Sequence, residues 1–458
     1  MKPLRILIGL ILSSILLLSF TPSVLAFCGF YVAKADASLY NKASQVVIAR
    51  DGDRTILTMA NDYQGDMKDF ALVVPVPTVL KQEQVRIGES KIIERLDAFS
   101  APRLVEYFDS DPCAVYNRAL ESSAIPSPTT RGFGGDLRGR NELGVTIEAQ
   151  FTVGEYDILI LSAEESDGLQ TWLIDNGYRI PEGAEQLLQP YIRQNMKFFV
   201  AKVNLKEQQS TGSKFLRPIM MAYESPKFML PIRLGMINAS GDQDLLVYVL
   251  SPSGQAEVTN YRTVKVPSDA EIPVYVKEEF SNFYKSMFKT AYVKEDRKVA
   301  FLEYAWDMSS CDPCSADPLT QEELQKAGVF WLDSPSSSVP NLNSSFRRSR
   351  PQPTSSRVFI SRFHVRYSRD KFPEDLMFKE TTNQEFFQGR YILRHPFEGA
   401  AQCEGGQQYQ KSLPVRFEQE AKTLAQLTGW NIQDIRRKLK LPATQSGSGS
   451  SFWRRIWK

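Results

Sequence analysis

The stretch that decides the fold is residues 46–76, VVIARDGDRTILTMANDYQGDMKDFALVVPV. Two apolar runs, 46–49 and 55–59, flank the turn Asp51-Gly52-Asp53, and this pattern predicts a β-hairpin. A second turn leads into a third strand, residues 70–76. Proline has no N–H to donate to a ladder, so Pro75 predicts that this strand ends there or lies at a sheet edge. The stretch therefore predicts antiparallel β-structure.

The pattern of residues 57–74 is echoed at residues 234–249. A second pair of echoes follows in the same order, with Glu106-Tyr107 before Cys113 and Glu303-Tyr304 before Cys314. Two readings stay open, a tandem duplication of one unit or a chance likeness between two hairpins.

Helical patterns lie between and after these strands. Residues 156–161 and 196–203 predict strands on either side of two short helices that begin near Ser166 and Pro181, which makes a β-α-α-β unit. A longer helix over 276–291 carries aromatic residues at helical spacing, a stripe that is typical of core. Helices at 414–427 and 431–439 close the chain. The fold class is thus α+β and β-rich, with antiparallel hairpins and a helical C-terminal segment.

Residues 1–26 have the pattern of an export signal. Lys2 and Arg5 precede the mostly apolar run 6–20, and Val24-Leu25-Ala26 offers small residues for cleavage. The run is short for a membrane span, so an uncleaved anchor is the weaker alternative. Phe27 before Cys28 argues against a lipoprotein. We expect a periplasmic or extracellular protein that is soluble after cleavage.

Composition shifts divide the rest of the chain. We predict a β-rich first half (27–149), the β-α-α-β unit with a second β-rich half (150–333), and a linker or insertion rich in Ser, Pro, Asn and Arg (334–356). A C-terminal α/β segment (357–445) is expected to pack on the preceding part. Residues 446–458 form a flexible spacer with an aromatic and basic end.

Charge and composition exclude several classes of function. The chain is 42% hydrophobic, which is enough for a core, so global disorder is excluded. Without Lys2 and Arg5, 53 basic residues face 53 acidic ones, and no nucleic-acid partner is expected. With only two histidines, His-based metal or acid–base chemistry is strongly limited.

The five cysteines are the sharpest chemical feature. In an exported protein they tend to pair, and five leave one thiol over. Cys311-Asp312-Pro313-Cys314 has the spacing of a thiol–disulfide redox motif, but it lacks the βαβ context of the redox fold. The favoured pairing is Cys28 with Cys113, from the echo, and Cys403 with Cys311 or Cys314. The alternative is a redox pair, Cys311 with Cys314.

Metal and hydrolase sites find weaker support. Cys311, Cys314, Cys403 and His395 could form a zinc set only if their thiolates stayed free, so no metal and no cofactor are predicted. The acidic turns at 51–53 and 241–244 lack the calcium-loop pattern and are expected to be turn formers. No nucleophile elbow occurs, and His364 and His395 are the only histidines that could act as bases.

One strand and one tail could contact ligands. Arg362, His364 and Arg366 alternate with apolar residues, which predicts a half-buried strand with a solvated basic face rather than an anion site. The C-terminal end contains residues that favour a membrane–water interface or a protein partner, unless it packs on its own domain: Phe452, Trp453, Arg454, Arg455 and Trp457.

Several longer motifs resemble one known family. These include CGFYVAK at 28–34, VVPVP at 73–77, CDPC at 311–314, FPEDL at 372–376 and GRYILRHP at 389–396. They are similar to a family of exported bacterial proteins known as domain of unknown function twenty-three thirty, over about residues 28–430. The resemblance implies an envelope setting and brings no activity, cofactor or catalytic residues.

These observations favour an exported, disulfide-stabilised envelope protein with a non-enzymatic binding or structural role. The first alternative is a thiol–disulfide oxidoreductase that uses Cys311 and Cys314, and the second is an envelope hydrolase. The partner is unknown, and contact with an envelope protein or membrane surface through the tail is one option.

Overall fold

The computed structural model describes residues 30–33, 40–64, 70–114, 145–175, 184–204, 206–207, 216–236, 241–311, 314, 316–333 and 357–439. Residues 1–26, Cys28, the stretch 334–356 and the tail 446–458 lie outside the described residues, so the predictions for them stay predictions. Within the described part, none of the helices is both long and apolar enough to cross a bilayer.

The strands and helices follow one another in this order. The strands are β1 (Phe30–Ala33), β2 (Tyr40–Asp51), β3 (Arg54–Gln64), β4 (Phe70–Val76), β5 (Val85–Ile87), β6 (Arg103–Phe108), β7 (Val145–Val153), β8 (Tyr156–Ala163), β9 (Lys197–Val203), β10 (Ile219–Glu224), β11 (Met229–Leu230), β12 (Gln243–Ser251), β13 (Ala256–Val258), β14 (Arg262–Lys265), β15 (Ala270–Glu271), β16 (Val299–Asp307), β17 (Phe359–Tyr367), β18 (Leu376–Glu380), β19 (Phe387–Gln388) and β20 (Arg390–His395). The α-helices are α1 (Ser90–Ser100), α2 (Ser166–Asp175), α3 (Ala184–Arg193), α4 (Phe280–Lys294), α5 (Gln321–Lys326), α6 (Glu404–Thr428) and α7 (Ile432–Lys438). Short 3-10 helices occur at Gln82–Gln84, Arg233–Met236, Val274–Glu279 and Phe330–Asp333. The fold class is α+β and β-rich, as predicted.

The predicted hairpin is part of the largest sheet. β2 and β3 pair antiparallel with Val46 opposite Met59, and Gly52 takes a left-handed conformation in the turn (φ 57°). The nine-stranded sheet has the order β14-β16-β17-β12-β2-β3-β10-β5, with β19 also on β16. β2 lies parallel to β12, so strands from distant parts of the chain meet at its centre.

A five-stranded sheet has the order β1-β4-β9-β8-β7. The short strand β1 pairs with β4 only as far as Val73, so Pro75 has a ladder partner, Phe198, on one side among the described residues. The strand ends at Val76, one residue after Pro75, which agrees with the predicted end; the alternative of an edge strand is wrong, because β4 lies between β1 and β9. The β-α-α-β unit is confirmed, because β8 and β9 are neighbours and α2 and α3 connect them.

The two larger sheets and the helices that cover them form four layers in the described part of the chain. Alternate residues of β2 and β3, such as Val46 and Leu57, face the five-stranded sheet and form the central core with residues such as Val74 and Phe199. α2 and α3 cover the outer face of the five-stranded sheet. α1 and α4 cover the outer face of the nine-stranded sheet, and the aromatic stripe of α4, including Phe283, lies in that core as predicted.

The C-terminal part adds a small parallel sheet, β15-β20-β6, and the helices α6 and α7. α6 begins at Glu404, ten residues before the predicted start at Pro414, which lies inside the helix. The left-handed Gly429 (φ 72°) ends α6, and Asn431 caps α7 by accepting a hydrogen bond from the N–H of Gln433.

The two echoed stretches adopt different structures. Leu57 to Asn61 lie in β3, whereas Leu234 to Met236 lie in a 3-10 helix. The predicted hairpin at 234–249 is therefore absent from the described residues of that stretch, of which 243–249 belong to β12. The tandem duplication stays a prediction.

Candidate functional site

The structure pairs four cysteines in a way that differs from the favoured prediction. Cys113 is bonded to Cys403 across 290 residues, and Cys311 is bonded to Cys314. The pairing of Cys403 with Cys311 or Cys314 and that of Cys28 with Cys113 are therefore wrong for this structure. The physical reason is the parallel pairing of β6 with β20, which brings the residues after each strand to the same edge of the small sheet. The zinc set is not assembled, because all three of its cysteines are in disulfides.

The Cys311–Cys314 bridge lies in the connection between β16 and α5. Cys314 is exposed, and Cys311 is partly buried against the core that α1 forms with the nine-stranded sheet. The indole Nε1 of Trp306 donates a hydrogen bond to Ser310 Oγ at 3.4 Å, directly before Cys311. The next helix starts only at Gln321, so the strand–motif–helix context of the redox fold is missing.

The predicted solvated face of β17 is instead largely covered: Arg362 is buried, and His364 and Arg366 are partly buried. Phe363, Val365 and Tyr367 face the central core as predicted. On the other face Arg362 binds Glu303 of β16 (Nε to Oε2, 2.6 Å), and α1 and α4 cover the pair through Asp97 and Tyr284. The alternation correctly predicted two unlike faces, but the solvated face was wrong because carboxylates from other strands neutralise the bases and helices cover them.

His364 is locked into this buried ion network. Its Nδ1 lies 2.9 Å from Glu303 Oε1, its Nε2 lies 3.1 Å from Asp244 Oδ1, and its ring stacks on Phe288. Arg366 also binds Asp244 (Nε to Oδ1, 2.7 Å). Asp244 thus does more than form a turn, in contrast to the prediction for residues 241–244.

The network favours its charged forms. Burial alone would raise the pKa of Glu303, but Arg362 and His364 lower it to about 2. Burial opposes a charge on His364, yet Glu303 and Asp244 raise the pKa of the imidazole above its usual value. Since both ring nitrogens donate to carboxylates in the protonated form, this histidine has no free lone pair to act as a base.

His395 occupies a more open position at the end of β20. Its Nε2 lies 2.8 Å from Glu106 Oε2, and its ring stacks on the exposed Phe108. Lys277 binds the other oxygen of Glu106 at 2.7 Å. The predicted structural role of this histidine agrees with these contacts. Over the described residues, no group of three His, Cys, Asp or Glu side chains could hold a metal ion.

A large cavity in the described part of the chain is a groove beside β5 and β10, at one edge of the nine-stranded sheet. It has a volume of about 1380 Å³ and is widely open. Its walls come from β3, β5, β10 and the Phe330–Asp333 helix on one side, and from β7 and the start of β9 on the other. Gly328 shapes one wall: at its φ of 99° a Cβ atom would lie 2.8 Å from Ile56 Cγ2.

The groove carries charges of both signs between apolar patches. Its basic residues are Arg54, Lys81, Arg86 and Lys197, and its acidic residues are Glu83, Glu148 and Glu224. The guanidinium of Arg54 lies 4.4 Å from the ring centre of Phe330, which fixes this charge at the rim. Ile56, Val79 and Met220 supply apolar surface.

Sequence reasoning missed this groove. Its residues come from elements that are up to about 280 positions apart, from Arg54 to Phe330, and only Pro77 belongs to a motif singled out in the sequence. Glu303 lies at the centre of the buried network. In the sequence it was noted only because Glu303-Tyr304 repeats the pair Glu106-Tyr107. Cys28 and the tail residues Phe452, Trp453, Arg454, Arg455 and Trp457 lie outside the described residues.

The comparisons with known proteins address the resemblance seen in the sequence. No curated protein and no solved structure matches the chain. The resemblance was expected over about residues 28–430, and the matching family model ends before the GRYILRHP stretch. The matched residues are 22–379, more than half of the chain, so the protein belongs to the family of uncharacterized proteins conserved in bacteria, DUF2330.

Proposed function

We propose that the chain is exported from the bacterial cytoplasm and acts in the periplasm or outside the cell as a disulfide-stabilised, non-enzymatic binding protein. Its ligand in this proposal is an extended polypeptide segment, bound in the groove beside β5 and β10. The observation that carries the proposal is the size and chemistry of that groove.

Export is supported by two independent features. The first 26 residues have the charged start, apolar run and small-residue site of a cleaved signal. The Cys113–Cys403 bridge suits an oxidising compartment, where disulfides form and persist.

An extended ligand is supported by the shape and lining of the groove. Pockets for small molecules usually enclose about 300–1000 Å³, and this groove is larger and widely open. A polypeptide presents amide dipoles, apolar side chains and charges of both signs. The groove offers matching partners for all three, since Arg54 and Glu224 line it together with apolar residues such as Met220.

A hydrolytic role has less support from the described residues. Both ring nitrogens of His364 contact carboxylates inside the buried network, and His395 pairs with Glu106. Neither contact leaves these histidines next to a hydroxyl or thiol nucleophile in the hydrogen bonds described here.

The binding proposal can be tested with a permanently unfolded polypeptide. We expect fluorescein-labelled, reduced and carboxymethylated α-lactalbumin to bind the mature chain with a Kd on the order of 10 μM, measured by fluorescence anisotropy. The double change Arg54→Glu with Arg86→Glu is expected to weaken binding about tenfold or more, because it reverses two charges of the groove.

The matched control is Lys285→Glu with Lys289→Glu, which makes the same change of charge on the exposed face of α4. This variant should bind like the unaltered protein. Equal loss in both variants, or no binding by the unaltered protein, would exclude the groove as a polypeptide site. Cell fractionation with and without residues 1–26 tests export separately.

A further inference from the structure

We propose that Cys311 and Cys314 form a thiol–disulfide exchange site that transfers its disulfide to a pair of thiols in a reduced polypeptide. The site goes beyond the proposed binding function and shares no residue with the groove. Three observations on the described residues carry it: the partner of each cysteine, the unequal exposure of the two sulfurs, and the aromatic surface beside them.

The first observation is that the two cysteines bond to each other. A bridge between residues three positions apart closes a very small loop, so it restrains the unfolded chain far less than the Cys113–Cys403 bridge does. The fold therefore depends little on the short bridge. An exchange site needs this property, because the protein has to stay folded while the pair is reduced.

The second observation is the difference between the two sulfurs. Cys314 is exposed, whereas Cys311 is partly buried and packs, like Trp306 and Trp331, against the core that α1 forms with the nine-stranded sheet. An incoming thiolate reaches Cys314 more easily than Cys311. Attack at one defined sulfur, with the other as leaving group, is the arrangement that exchange through a mixed disulfide requires.

The third observation is an exposed aromatic surface next to the motif. The ring of Trp306 stacks on Phe386 with 4.5 Å between ring centres, and Phe386 is 52% exposed. Trp306 also binds Ser310, the residue before Cys311. Reduced, unfolded polypeptides expose apolar side chains, and this surface gives such side chains a place to pack beside Cys314.

The chemistry balances without a further reactant. One substrate thiolate attacks Cys314 Sγ, the Cys311–Cys314 bond breaks, and Cys311 leaves as a thiolate that takes up a proton. The second substrate thiolate then attacks the substrate sulfur of the mixed disulfide, and Cys314 leaves as a thiolate. Two electrons pass from the substrate to the protein, which ends as a dithiol while the substrate gains a disulfide.

The test uses the oxidised mature protein, residues 27–458, under anaerobic conditions. The probe is a reduced synthetic peptide with two cysteines flanked by leucine and phenylalanine. Mass spectrometry after acid quenching should show up to one peptide disulfide formed per protein chain. It should also show a transient mixed disulfide at Cys314.

Matched variants separate this site from the other bridge. Cys311→Ser with Cys314→Ser should reduce the rate at least tenfold, to the background, while Cys113→Ser with Cys403→Ser should keep the activity. Trp306→Ala with Phe386→Ala should slow the reaction with the apolar peptide several-fold and leave reduction by dithiothreitol unchanged. Circular dichroism checks that each variant is folded.

Three results would overturn the proposal. They are less than a tenth of an equivalent of peptide disulfide, a mixed disulfide on Cys113 or Cys403, and equal rates for the unaltered protein and the Cys311→Ser, Cys314→Ser variant. Cys311 and Cys314 share no residue with the groove. A failure of the groove to bind polypeptides would therefore leave these three outcomes unchanged.

Discussion

Glu420 of α6 is a carboxyl group in surroundings that oppose its ionisation. It is 3% exposed, and its nearest cation is Arg416, with Nε 3.5 Å from Oε1. Burial raises the pKa of Glu420 to about 7, because the attraction of Arg416 is smaller and Glu271 adds repulsion. Burial likewise raises the pKa of Glu380 to about 7.

The raised pKa predicts a loss of stability with rising pH. A carboxyl group whose pKa is higher in the folded state stabilises the fold below its unfolded pKa, near 4.5, and this contribution is lost as the pH rises through 7. We expect the free energy of unfolding to fall by about 2–3 kcal/mol per group across this range. Urea unfolding between pH 4.5 and pH 8 measures it.

The variant Glu420→Gln should remove the part of this pH dependence that Glu420 contributes, and Glu380→Gln should remove the part that Glu380 contributes. Combining both changes should flatten the profile further. A Glu420→Gln profile parallel to that of the unaltered protein would contradict the burial argument.

The residues of β17 show what alternation in a sequence can and cannot predict. The period of two correctly separated Phe363 and Val365 from Arg362 and His364. It contained no information on the partners Glu303 and Asp244, which come from strands about 60 and 120 positions earlier. Local pattern defines the faces of a strand, but long-range pairing decides whether a face is solvated.

At the scale of elements, α6 is held at its two ends by different contacts. Its first turn begins after Cys403, which is bonded to Cys113 beyond the end of β6. The hydroxyl of Tyr409 donates to Asp109 Oδ2 at 2.6 Å, again near β6. The last turns pack through Leu424 against the core formed with α4.

Removing the Cys113–Cys403 bridge should therefore loosen one end of α6. We expect Cys113→Ser with Cys403→Ser to cost about 2–5 kcal/mol of stability, because the bridge closes a loop of 290 residues. Hydrogen exchange should become faster over residues 404–412 and change much less over residues 420–428. Cys311→Ser with Cys314→Ser, the control, should cost about 2 kcal/mol or less.

An equal cost for the two pairs would contradict this difference in loop size. Uniform exchange along α6 would show that the bridge does not act on its first turns.

Elements with strong local signals were predicted well. The hairpin β2–β3, the β-α-α-β unit and the end of α6 at Gly429 follow from turn residues and periodicity within short windows. The start of α6 was wrong, because Pro414 is ordinarily a first-turn residue, and here the helix extends back to the cap formed by Cys403. A disulfide partner 290 positions away gives no local signal.

For the whole molecule, the decisive feature is how the nine-stranded sheet is assembled. β17 lies between β16 and β12, although it follows both in the chain. β12 in turn lies parallel to β2, about 200 positions earlier. The central sheet thus needs strands from both sides of residues 334–356. An N-terminal fragment that ends before β17 therefore lacks one of its central strands.

This assembly predicts that the chain folds as one cooperative unit. A mature chain truncated after Asp333 lacks β17, so β16 and β12 lose their shared neighbour and the buried residues Phe363 and Val365 are missing from the central core. We expect this truncated chain to show no near-ultraviolet circular dichroism and no cooperative urea transition. A chain truncated after residue 445, which keeps every described strand, should unfold like the full mature protein. A cooperative transition in the shorter chain would instead mean that residues 27–333 form an independent domain, and that β17 only adds to a sheet that is already stable.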